Sequence, residues 1–201
     1  MSERETWTTD EFGPSHEGAV GVLLADGSVP GPVYFDTGSG SGGPPVSQWS
    51  VYDGRWAHVP RAAALRAVCS CGWAGPEHPL DWEAIGEAAL GEGGHAEADA
   101  CVRDWDGHTA QVEATTVPLP EAVIDLLERL QGELVKLAKT SPVAAVRAAR
   151  RLEVTAAQVG YWAARDTRDD LSAAQAAAAL GLDEDATRKV LARFGRWSPY
   201  L

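Results

Sequence analysis

The chain has 201 residues, 45 % of them apolar and 23 % charged, an ordinary globular composition that is long enough for one sizeable core or two small ones. It contains neither a long apolar run nor a basic start followed by an apolar block, so no membrane span or secretory signal is read and a cytoplasmic location is expected. Residues 1 to 120 carry 5 Lys/Arg against 18 Asp/Glu, net −13, and residues 121 to 201 carry 12 against 11, net +1, so phosphate contact is excluded from the acidic front and left to the back half.

Residues 1 to 18 have little apolar content and read as a disordered tail. From Ala19 to Leu24 a short apolar run ends at the turn dipeptide Asp26-Gly27. Val33-Tyr34-Phe35 follows, which predicts a hairpin or two edge strands. Thr37 to Pro45 holds no helix or strand former and reads as a flexible loop; without a following Lys-Ser/Thr or helical pattern it is no phosphate loop. A second hairpin is predicted from Gln48–Tyr52, the Asp53-Gly54 turn and Arg55–Val59, and a further strand over Ala64–Cys69.

The stretch from Cys69 to His108 holds the candidate site. Two thiols one residue apart, beside Gly72 in Cys-Ser-Cys-Gly-Trp, can face one ion, because the glycine lets the backbone curl and bring its amides toward sulfur. Three cysteines, an odd number, make a poor disulfide framework and a plausible set of metal ligands in a reducing compartment. His108 closes the motif Asp-Trp-Asp-Gly-His. The expected core set is Cys69, Cys71 and His108, with Cys101 as fourth ligand ahead of His95, and His78 also a candidate. Cys101 and His108 would lie about 10 Å apart on an unbroken helix, so a Cys3His site requires the helix predicted over Ala96–Asp106 to end at Gly107 and fold His108 back. Zinc in a structural role is the expected cofactor, since thiolate-rich sites are mostly closed. Trp73, Trp82 and Trp105 flank these positions as core that holds the ligand loops.

Between Pro76 and Gly94 helical spacing is only partial, and Val-Pro-Leu-Pro at residues 117 to 120 closes the front module. Val123, Leu127, Leu130, Leu134 and Leu137 then draw one apolar seam down a helix from about Glu121 to Lys139. Ser141 as N-cap and Pro142 at the first helical position start a second helix, running to about Arg165 with Leu152, Ala156, Val159 and Ala163 as its seam. So short a connection predicts an antiparallel pair, and a monomer is expected ahead of a dimer because the second helix can cover the first.

The run from Leu171 to Gly195 fits a helix-turn-helix, with small Ala177 four residues before Gly181 in the turn and Asp183 capping the second helix. Arg188, Lys189, Arg193 and Arg196 are the candidate DNA contacts. Asp183, Glu184 and Asp185 oppose them, since base edges are normally met by a recognition helix's first turn. No Gly-x-Ser-x-Gly elbow, His-Glu-x-x-His or Walker-type loop occurs, so no enzyme is expected.

CSCGW, EHPLDW, DWDGH and QVEATTVPLP, followed by an Ala/Leu-rich helical pair, together resemble a group of uncharacterised actinobacterial proteins with a C-terminal helix-turn-helix-like segment. The resemblance covers most of the chain after Val51 and brings no established activity. The expectation is an α+β chain with a β-rich zinc module over 19–118 and an all-helical domain over 119–201, its helix-turn-helix at 171–195. The expected function is that of a DNA-binding regulatory protein partnered by duplex DNA. The alternative is an acidic protein-interaction adaptor whose helical domain binds a protein partner.

Overall fold

In the computed structural model, residues 4–36 and 42–195 are described. The chain is α+β and divides into two compact units, residues 1–113 and 114–201, a few residues before the boundary expected after residue 118.

Unit 1 is organised by β1 (Thr6–Trp7), β2 (Gly18–Leu23), β5 (Ala64–Cys69) and β6 (His78–Pro79), an antiparallel sheet in the order β1-β2-β5-β6. A separate two-stranded ribbon pairs β3 (Val33–Asp36) with β4 (Gly42–Val46). The Asp26-Gly27 turn is present, Gly27 N–H donating to Leu24 O at 2.9 Å, but the strand before it pairs with β5 and not with the one that follows. Pairing Val20 with Ala67 and Val22 with Leu65 puts alternate residues of both strands on one buried face, a larger apolar gain than a local hairpin offers.

The segment expected to be a disordered tail is ordered where described: β1 pairs with β2, and Phe12, Ser15 and His16 are buried. Of the expected linker, residues 37–41 lie outside the described residues, while Pro45 pairs with Tyr34 in the ribbon. The second predicted hairpin is replaced by a 3-10 turn at Trp49–Val51. Trp49 and Tyr52 are three apart and both buried, the spacing at which a 3-10 turn presents two side chains on one face.

Two single turns, α1 (Trp82–Ile85) and α2 (Leu90–Gly93), lead into α3 (His95–Thr115). This helix runs straight through Gly107, correcting the expected stop there. Its buried residues Ala98, Cys101, Trp105 and His108 recur at spacings of three and four, so a single inward stripe overrides one glycine, whose cost in a helix is only about 1 kcal/mol. Trp105 lies against Gly18, where any Cβ would meet the indole ring, and this close approach seats α3 on the end of β2.

Unit 2 contains α4 (Glu121–Thr140), α5 (Pro142–Asp170), α6 (Ala173–Leu180) and α7 (Glu184–Gly195). Ser141 occupies the N-cap position of α5 but its side chain makes no cap hydrogen bond, leaving Pro142 as the start signal. The partner of α5 changes along its length. Its first half faces α4 with Leu152 half-buried, whereas near its end Gly160 meets Phe194 of α7 and Ala164 is buried. The predicted seam therefore does not continue inward, and Val159 is 69 % exposed. Between α6 and α7 the turn is as expected: Gly181 is left-handed at φ 63°, and Asp183 accepts from Ala186 N–H at 2.7 Å. Ser172 and Gln175 close a capping box at the start of α6.

Candidate metal centre

The knuckle after β5 is built locally. Gly72 N–H donates to Cys69 O and Cys69 N–H to Trp73 O, each at 2.9 Å, and Gly72 sits at φ +92°, a conformation that favours glycine. Cys69 is buried and Cys71 exposed, both on the same turn. His108 reaches them from α3, its ring stacked on the Trp73 indole at 4.3 Å between centroids and 5° between planes, so one residue of the knuckle orients a side chain from the helix.

The fourth member is His16, which lies in the 3-10 turn Gly13–His16. Ser70, between the two cysteines, holds that turn in place. Its hydroxyl donates to Pro14 O at 2.9 Å and accepts from Glu17 N–H at 2.9 Å, and its own N–H donates to Glu17 O at 2.8 Å. Phe12 packs edge-on against the His16 ring at 5.6 Å.

The ligand atoms of His16, Cys69, Cys71 and His108 all lie within 4.8 Å of one another, so the group could hold a metal ion. Cys71 Sγ is 3.3 Å from His108 Nε2, Cys69 Sγ is 3.7 Å from His16 Nδ1, and the two ring nitrogens are 3.4 Å apart. A tetrahedral cation with bonds of about 2.0–2.1 Å to nitrogen and about 2.3 Å to sulfur sets its ligand atoms roughly 3.3–3.8 Å apart, and the three separations match that requirement.

The ionisation preferences of the two groups differ in their bearing on metal binding. Burial pushes the Cys71 thiol above its ordinary value, while burial and then the neighbouring His16 pull His108 below its own. A neutral imidazole is already a ligand, and a bound dication would overturn the preference of the thiol for its proton.

Of the residues expected at the site, Cys69, Cys71 and His108 come together and the other candidates do not join them. Cys101 is fully buried in the core two turns down α3, where burial and then Asp104 push its thiol up to about 12. The continuous helix keeps it away from His108. His95 lies exposed at the start of α3 with its ring edge-on to Trp49, and His78 pairs with Asp104 at 2.6 Å. His16 had no local signal. The sheet register would have found it: Gly18 is opposite Cys69, and the same antiparallel register extended by two residues sets position 16 opposite position 71.

The cations expected to touch DNA are placed on α7. Arg188, Lys189 and Arg193 are exposed there, and Arg196 lies outside the described residues. Arg188 is paired with Asp185 one turn before it.

No protein-family model matches the chain, and neither a curated protein nor a solved structure matches it. No helix among the described residues is long and apolar enough to cross a membrane. What the fold and site define is an α+β protein with a His/Cys/Cys/His group between the end of a sheet and a helix.

Proposed function

We propose that this chain is a DNA-binding regulatory protein whose N-terminal unit is held together by structural zinc. The choice of zinc rests on the donors, since two thiolates and two imidazoles in a tetrahedral arrangement suit that ion. A structural role rests on four protein ligands filling the tetrahedron, His16 and Cys69 buried, which leaves no open position for a substrate.

The observation that carries the DNA reading is the α6–Gly181–α7 unit. Small buried Ala176, Ala177 and Thr187 let the two helices cross closely, and α7 presents Arg188, Lys189 and Arg193 to solvent. The adaptor reading is favoured by the pairing of Arg188 with Asp185 and by the carboxylates in the first turn of α7, where phosphate would approach. Fluorescence-anisotropy titration of duplex DNA at several salt concentrations separates the two. A regulator loses affinity steeply with salt, Arg188→Ala weakens it by about 1–3 kcal/mol if that side chain reads a base, and Asp185→Asn tightens it. No binding to any duplex at low salt refutes the DNA reading and leaves the adaptor.

A further inference from the structure

The helical hairpin leaves most of its apolar surface uncovered. No side chain of α4 is buried, and although Leu134 and Leu137 are half-covered by α5, Leu127 is 55 % and Val135 50 % exposed. Beside them on α5, Val146 is 71 % exposed. Leu127, Leu134, Val135 and Val146 line an open groove of about 840 Å³ running along the hairpin, with no charged side chain in its lining. A single hairpin in water loses the burial that such a strongly amphipathic helix is patterned for.

We propose that a second copy of this chain covers the groove, the two hairpins packing antiparallel into a four-helix bundle with α4 against α4 about a two-fold axis close to Gln131. The distribution of charge along α4 selects this occupant. The N-terminal half of α4 carries Glu121, Asp125 and Glu128 against the single cation Arg129, and its C-terminal half carries Lys136 and Lys139 against the single carboxylate Glu133. Antiparallel pairing centred on residue 130 sets Glu121 of one copy opposite Lys139 of the other, twice by symmetry. Lys136 already pairs with Glu133 on its own helix at 2.7 Å, so the Glu121–Lys139 pair carries the contrast.

Ile124, Gln131 and Ala138 recur along α4 at seven-residue spacing, and Gln131 and Ala138 line the groove beside residues of α5. The two-fold axis brings Gln131 beside its mate, where an amide that both donates and accepts can bond its copy and hold the register of an otherwise apolar seam. The size is adequate. Two helices of about twenty residues side by side present a face about 30 Å by about 20 Å, which with side-chain relief approaches the roughly 800 Å² per partner of a standard stable interface.

Sedimentation equilibrium of the full, metal-loaded chain between about 1 and about 100 µM tests this. The expected mass is twice the 21.3 kDa of one chain. Val135→Glu and Val146→Glu, both at sites exposed enough to leave the hairpin folded by circular dichroism, weaken the dimer about a hundredfold, tenfold for each copy's buried carboxylate. Glu121→Lys weakens it less, and adding Lys139→Glu restores it. A 21.3 kDa mass for the wild type at every concentration overturns the proposal, as does a dimer that both valine substitutions leave intact. A double charge swap that fails to restore association overturns the antiparallel arrangement.

Discussion

Ser70→Ala tests whether the site is assembled as described, because Ser70 touches no metal and its only part is to hold the His16 turn. The substitution removes two hydrogen bonds of 2.9 Å, one to Pro14 O and one from Glu17 N–H, and leaves the backbone bond from Ser70 N–H to Glu17 O in place. Both lost bonds are solvent-exposed, so each is worth the low end of the usual range, about 0.5–1 kcal/mol, or about 1–2 kcal/mol together. If the His16 turn orders as the ion binds, that energy appears in the metal affinity as roughly a 5–30-fold rise in dissociation constant, overlapping the lower part of the roughly 10–100-fold range seen when a ligand's supporting contacts are removed. Competition for zinc against a chromophoric chelator at pH 7, with thiols kept reduced, measures it. Ser70→Thr keeps the hydroxyl and should restore most of the loss, and His16→Ala should weaken binding more than Ser70→Ala because it removes the ligand atom itself. Ser70→Ala and His16→Ala both within twofold of wild type would refute the assignment of His16.

Two further outcomes follow from the same geometry. Cys101→Ala should retain about one metal per chain and lower the stability of unit 1 by about 1 kcal/mol for the lost packing, whereas Cys71→Ala should lose the metal; elemental analysis with denaturant unfolding distinguishes them. Metal affinity should rise with pH near neutrality. The raised Cys71 thiol still holds its proton there and must release it to bind, while the lowered His108 is already neutral and adds dependence only on the acid side. Affinities at pH 6.5, 7.5 and 8.5 should climb by about one log unit per pH unit for the Cys71 proton displaced, and a flat profile would exclude ligation by the Cys71 thiolate.

Much of this chain is legible from local spacing. The apolar recurrence from Val123 to Leu137, Pro142 at a helix start, Gly181 and Asp183 at the turn between α6 and α7, and the Cys-Ser-Cys-Gly knuckle are each carried within a few residues, because helix faces, caps and tight turns are set by nearest neighbours. What sequence left open was decided by contacts between distant segments. His16 and Cys69 are 53 positions apart in the chain with no spacing rule to link them, and only the β2–β5 register and the Ser70 clasp bring that ring to the thiols. The same limit explains Cys101, a residue of the right type on the right helix that the unbroken α3 consigns to the core, and Gly107, whose breaking tendency yields to the inward stripe of Trp105 and His108. Local chemistry names the pieces of a site; which of them meet depends on long-range burial, whose energy exceeds the propensity of any single residue.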